Sequence, residues 1–182
     1  MDSVQIIEDE TLYKGFIKVT KRHLDVNGQK VSRTVGSFKK DAVMVIAIDT
    51  QGNLIFNHEL AGPKVGFINT LVKGAKDEGR SDAQVAVSEL TEEVGYKAAA
   101  IQVLCRFDDR PTHLTTVTTV VLATGCTPTN KQGGDEEEGT IHLRRKPLAE
   151  VLLDPLSTFS CARCVAALFE LKAQMENGLV TL

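Results

Sequence analysis

The chain has 182 residues, 42% hydrophobic and 25% charged, which is enough apolar material for one well-buried domain and gives little reason for two. A net charge of −3 and a pI near 5.8 speak against a broad electrostatic grip on nucleic acid, so long RNA or DNA is no expected partner unless another protein supplies the basic surface. No apolar run approaches the ~18 residues of a membrane span, and the first ten residues, MDSVQIIEDE, are acidic where a leader is basic; the expectation is a soluble cytoplasmic protein with no membrane partner.

In chain order, residues 11–38 read as antiparallel strands turning at Asn27-Gly28, the strongest short hairpin signal. Residues 1–40 therefore form a small β extension, which is weakly stable alone and has to pack on its own domain or on a dimer partner, and residues 41–182 form the main domain. Ala42 to Ile48 is an almost unbroken apolar run bounded by Asp41 and Asp49, the pattern of a strand buried on both faces. After the TQGN turn, Leu54–Leu60 and Val65–Val72 are expected as two further strands, the second running into Lys73-Gly74.

A helix follows. Ser81 and Gln84 have capping-box spacing, and Gly95 stands where a left-handed stop is wanted. At 100° per residue, Asp82, Glu89 and Glu93 fall within about 40° of one another, with Glu92 about 60° to the other side. Ala83, Ala86, Val87, Leu90 and Val94 occupy the neighbouring arc and are expected to dock the helix. Clustered carboxylates are explained either by a solvated acidic face or by a hard cation held among oxygen ligands, Mg²⁺ or Mn²⁺.

Ile101–Phe107 and Thr115–Ala123 are strand-like by composition. Between them lies DDRPTHL, in which His113 either sits exposed or reaches toward the acidic helix. Residues 124–140, with GGDEEEG at their centre, lack any apolar period and read as a solvated loop. Ile141–Leu143 is expected as a short strand with a structural His142. Pro147 opens a helix over LAEVLLD, and Ser160–Asn177 form the last helix, with Val165, Leu168, Phe169, Leu171 and Met175 inward and Gly178 as its stop. Cys105, Cys126, Cys161 and Cys164 are expected as buried thiols, because Cys161 and Cys164 make a lone CxxC without a second pair.

Residues 74–96, GAKDEGRSDAQVAVSELTEEVGY, match the Nudix box GX5EX7REUXEEXGU at Gly74, Glu89, Leu90, Glu92, Glu93, Gly95 and Tyr96, and on these positions the chain resembles the Nudix hydrolases. Arg80 stands at the box's first Glu and Ser88 at its Arg, two residues that normally pair. The resemblance runs from about Tyr13 to Asn177. Within the family it is most similar to the ADP compounds hydrolases and ADP-ribose or ADP-sugar pyrophosphatases, whose GDE-type loop is likewise followed by a strand and a Pro-Leu helix start.

The resemblance implies an α/β/α sandwich with a mixed central sheet, preceded by a small antiparallel sheet through which a homodimer forms. It implies metal-dependent hydrolysis of the pyrophosphate bond of a nucleoside diphosphate linked to another moiety, such as an ADP-sugar. Glu89 and Glu93 are then ligands of Mg²⁺ or Mn²⁺, Glu92 binds a second ion or orients the first, and the Lys73 carbonyl completes the set. A loop carboxylate among Asp135, Glu136, Glu137 and Glu138, with Glu137 and Glu138 preferred, acts as base. Lys76, Arg80 and His113 are the expected substrate contacts, with Arg80 either bracing Glu92 or standing in for the cation. Where the branch carries an arginine in the second strand and a glutamate before the box, this chain has Asn57, His58 and Ile68. Two other readings stay open: a Nudix fold serving as a nucleotide- or protein-binding module, and an enzyme acting on RNA 5′ ends or dinucleotide polyphosphates.

Overall fold

The computed structural model describes residues 3–61, 65–109, 112–130 and 141–182. These form two units, one taking in the chain up to Asp41 with Phe107–Thr118, the other Ala42–Arg106 with Thr119–Leu182. The first unit thus takes in a second chain segment besides the N-terminal residues.

In the first unit, β1 (Val4–Lys14), β2 (Ile17–Val26) and β3 (Gln29–Phe38) form an antiparallel meander, and β10 (Leu114–Thr115) joins β3 in parallel. Asn27 and Gly28 have φ of 53° and 85°, the two positive values that a tight hairpin of this twist requires. The expected single strand from residue 11 is divided at Gly15-Phe16, and the acidic start of the chain belongs to β1. All eleven residues of β1 are exposed, among them Val4, Ile6, Ile7, Leu12 and Tyr13.

In the second unit, β4 (Ala42–Asp49) lies inside a sheet of order β12-β5-β4-β11-β8, with β6 on β5, β7 on β4 and β9 on β11. The strands are β5 (Asn53–Ala61), β6 (Gly66–Thr70), β7 (Val72–Ala75), β8 (Tyr96–Lys97), β9 (Ala100–Asp108), β11 (Val117–Pro128) and β12 (Ile141–Pro147). Val43 to Ala47 are at most 1% exposed, as their unbroken apolar run predicts. The strand expected over residues 65–72 is broken at Leu71, whose N–H turns to the Cys164 sulfur at 3.4 Å. β11 and β12 both outrun their expected ends.

α1 (Asp82–Glu93) packs on β7, β4 and β8; α2 (Leu148–Leu153) packs on β12 and β5, and α3 (Ala162–Glu176) on α2. The result is the expected α/β fold, preceded in the sequence by a small sheet. Both capping-box bonds are made, Gln84 N donating to Ser81 Oγ at 3.2 Å and Ser81 N to Gln84 Oε1 at 2.8 Å, and Gly95 closes the helix at φ 68°.

The docking face of α1 matches expectation in part: Ala86, Leu90 and Val94 are buried as expected, and Val87 is not. Val85 is fully buried while Val87 is 49% exposed, and Asp82, Ala86 and Leu90 complete the buried set. The helix docks largely through the arc that carries its carboxylates, because the sheet supplies them with partners. In α3, Leu168 and Leu171 are buried as expected but Phe169 is 49% exposed. All four cysteines are free thiols, Cys126 and Cys164 buried and the other two half-buried. Among the described residues no helix is long and apolar enough to cross a membrane.

Candidate active site

β7 is the floor of the site. It is fixed by its antiparallel ladder to β4, where Met44 faces Lys73 and Val43 faces Gly74. α1 lies against it, and two of the box carboxylates reach adjacent residues of this one strand.

Glu89 meets it at Gly74. A Cβ built on Gly74 lies 1.8 Å from Glu89 Oε1 and 2.0 Å from its carboxyl carbon, so the carboxylate occupies the space that any other residue's side chain would take. Here glycine is required for close approach. Glu93 meets the strand one residue earlier: its Oε2 accepts the Lys73 main-chain N–H at 3.2 Å and the Asn57 side-chain amide at 2.7 Å. Burial pushes the Glu93 carboxyl above the usual carboxylate range, opposed by the Lys73 charge and by the Asn57 and Lys73 hydrogen bonds. The Lys73 ammonium is itself clasped by both oxygens of Glu59, each at 2.6 Å, with Thr70 Oγ1 at 3.4 Å.

Glu92 is exposed on α1. Asp82, expected on the acidic face with Glu89 and Glu93, is 6% exposed and held in ion pairs with Lys76 Nζ at 2.7 Å and Arg106 Nη2 at 2.6 Å. Burial alone would raise its carboxyl, but the bonds and charges of Lys76 and Arg106 outweigh this and hold it below the usual range. Lys76 is therefore engaged by Asp82. Arg80 donates to the Ser88 hydroxyl and to the Gln84 carbonyl at 2.9 Å, with Asp77 at 3.8 Å, so among the described residues its partners are these and not Glu92. The two residues that depart from the box thus bond to each other. His113 is exposed in the first unit, its Nδ1 2.7 Å from Thr112 Oγ1. Glu137 and Glu138, with Asp135 and Glu136, lie outside the described residues.

Two residues of the site escape sequence reasoning. Asn57 was legible only as an occupant of the branch's arginine region, although a polar residue directly after the buried Leu54, Ile55 and Phe56 was a usable signal. Glu59 carried no signal; the β5–β6 register sets it opposite Ile68, where the branch carries its pre-box glutamate.

Among the described residues no three His, Cys, Asp or Glu side chains already converge on one point. The donor set nevertheless fits a hard divalent cation: carboxylate oxygens gathered on one strand, a glycine cradle keeping room for Glu89, and a fully buried Asn57 whose Oδ1 has no hydrogen-bond partner beside Glu93.

No protein-family model matches the chain. It is 33% identical over 133 residues to the ADP compounds hydrolase NudE of Escherichia coli (strain K12), a match covering 71% of this chain and 69% of that protein. Its fold superposes on a crystal structure of an ADP compounds hydrolase with a TM-score of 0.85 and 27% identity, over 96% of this chain and 95% of the other. With the box carboxylates gathered on one strand, these likenesses establish that the chain belongs to the Nudix hydrolases, enzymes of the ADP compounds hydrolase branch.

Proposed function

We propose that the protein hydrolyses the pyrophosphate bond of an ADP compound, an ADP-sugar or a related nucleoside diphosphate linked to another moiety, with the aid of Mg²⁺ or Mn²⁺. The observation that carries this is the delivery of Glu89 and Glu93 to adjacent residues of β7, at Gly74 and Lys73. Nudix hydrolases work with a divalent cation such as Mg²⁺, and Glu89 and Glu93 are the residues that would hold it, with Glu92 and the Lys73 carbonyl beside them. Bound there, the cation supplies neutralisation of the phosphate charges.

The chain's own groups do the rest. Glu137 or Glu138 takes the proton of the attacking water. That water's oxygen bonds to one phosphorus, the P–O–P bridge breaks, and AMP and the phosphorylated second moiety depart. Lys76 and Arg80 are the substrate contacts of the second unit; for Lys76 this requires release from Asp82. The protein acts as a cytoplasmic homodimer through the small sheet, a reading supported by the exposed apolar residues of β1.

A substrate panel tests the reading: ADP-ribose, ADP-sugars, reduced nicotinamide dinucleotide, diadenosine polyphosphates and 5′-triphosphate RNA, each with Mg²⁺ and with Mn²⁺. Turnover of the ADP compounds is expected, and its loss in Glu93→Gln with the fold intact. Silence on every member favours a binding module instead. Light scattering should give twice the chain mass, and Ile6→Lys should halve it.

A further inference from the structure

We propose that Asn57 is a positioning residue that confines Glu93 to ligation through one oxygen and so selects small octahedral cations over Ca²⁺. The proposal rests on the metal-dependent reading above.

Asn57 is placed at a cost. It sits on β5, paired to Thr70 on one side and Leu143 on the other, and is fully buried. Asparagine is a poor strand residue, and burial of an amide needs partners for both of its ends. Among the described residues only one end is served: Nδ2 donates to Glu93 Oε2 at 2.7 Å, while Oδ1 has no partner. The amide cannot be turned to cure this, because a carboxylate accepts and does not donate, and the reversed amide would set oxygen against oxygen. One hydrogen bond to Glu93 therefore outweighs an orphaned oxygen in the core. An apolar residue would continue the run of Leu54, Ile55 and Phe56 without that penalty.

The same Oε2 also accepts the Lys73 main-chain N–H at 3.2 Å. Two N–H donors thus converge on one oxygen of the carboxylate and occupy the lone pairs by which it would bind a metal. Ca²⁺ takes six to eight oxygens at about 2.3–2.6 Å and readily accepts both oxygens of a carboxylate, whereas Mg²⁺ demands near-ideal octahedral geometry at about 2.0–2.1 Å, and Mn²⁺, which shares its carboxylate and water ligands, serves as its probe. With Oε2 held, Glu93 favours the second group. Both donors belong to the sheet, so the orientation exists before any cation arrives.

The test is the affinity of the folded protein for Mn²⁺, followed by the paramagnetic signal of the free ion, with Ca²⁺ measured by competition. In Asn57→Leu, Mn²⁺ affinity should fall about tenfold or more, the range for loss of a ligand's supporting partner, and Ca²⁺ affinity should fall much less, so that the Mn²⁺-to-Ca²⁺ ratio collapses. In a Glu93→Gln background the same substitution should leave that ratio unmoved. Asn57→Ser, whose hydroxyl is too short to reach Glu93, should reproduce the effect and serves if the leucine variant does not fold. An unchanged ratio in the folded variants, beside tight Mn²⁺ binding by the wild type, overturns the inference alone. A wild type that binds neither cation overturns the metal-dependent reading and the inference with it.

Discussion

Gly74→Ala separates a stabilising role of the β7 glycine from a chemical one. The new Cβ would stand 1.8 Å from Glu89 Oε1 and 2.0 Å from its carboxyl carbon, whereas ordinary contact begins at 3.4 Å. The carboxylate must therefore retreat by about 1.6 Å or swing away altogether, which a flexible side chain does with little strain. A misplacement of about 1 Å in a reacting constellation costs roughly 100-fold in rate, or about 2.7 kcal/mol of transition-state stabilisation. Stability should move the other way or not at all, since alanine in a strand is better than glycine by about 0.5–1 kcal/mol. The assay is AMP release from ADP-ribose under Mg²⁺, with Mn²⁺ affinity and thermal unfolding measured on the same protein. Gly52→Ala is the control: nothing lies within 4 Å of its Cβ, but its φ of +80° strains any L residue, so it should lose about 1–2 kcal/mol of stability and keep its rate. Wild-type kcat/KM and Mn²⁺ affinity in Gly74→Ala would refute the cradle.

Three further outcomes follow from the geometry around α1 and α3. Asp82 has a depressed carboxyl, so the stability it contributes is present above its unfolded-state pKa of about 3.9 and is lost as pH falls through its lower folded value. Asp82→Asn should cost about 1–2 kcal/mol at pH 7 by urea unfolding, a cost that shrinks as pH is lowered below about 3.9, and a cost independent of pH down to full protonation would refute the ion-pair account. Cys161, lowered to about 5 chiefly by its hydrogen bond with Cys164, should react with iodoacetamide at pH 7 well before Cys126, which burial pushes up to about 11; mass mapping of the first labelled site decides it. Ser88→Arg brings a second guanidinium to Arg80 and should lower Tm by a few degrees, while Arg80→Glu with Ser88→Arg restores opposite charges and should recover it, a coupling of about 1 kcal/mol in a double-mutant cycle.

The fold was legible wherever a local rule determined the outcome. The apolar run of β4, the Asn27-Gly28 hairpin and the Ser81 capping box each depend on residues a few positions apart, and each is found where expected. The face of α1 was legible only in part: Ala86, Leu90 and Val94 are buried as expected, but Val87 is not. Period alone ranks Val87 with Ala86 and Leu90, but the buried residue is Val85, on the carboxylate side. That side is buried because Asn57, 36 residues away, and Arg106, 24 residues away, come to meet Glu93 and Asp82. Partners so distant in sequence cannot be inferred from helical spacing. Likewise Lys76 read as a free cation near phosphate, and it is the register of helix against sheet that gives it to Asp82.

This division bears on the two box positions that depart from the family. In the family pattern a glutamate and an arginine brace the box through opposite charges, and the loss of one alone would strand the other. Here both have changed, and Arg80 still reaches Ser88, with the charge now on the other partner's side and a neutral hydroxyl accepting. The bond is local to the loop before α1 and its middle turn, where Arg80 also meets the Gln84 carbonyl and Asp77. The supports described for Glu89 and Glu93 lie elsewhere, on β7 and β5: the missing Cβ of Gly74, the Lys73 N–H and the Asn57 amide. Those are backbone and core features of the sheet, separate from the Arg80–Ser88 bond. The departures therefore alter the fastening of the loop to the helix, while Glu93 is held by donors that belong to the sheet.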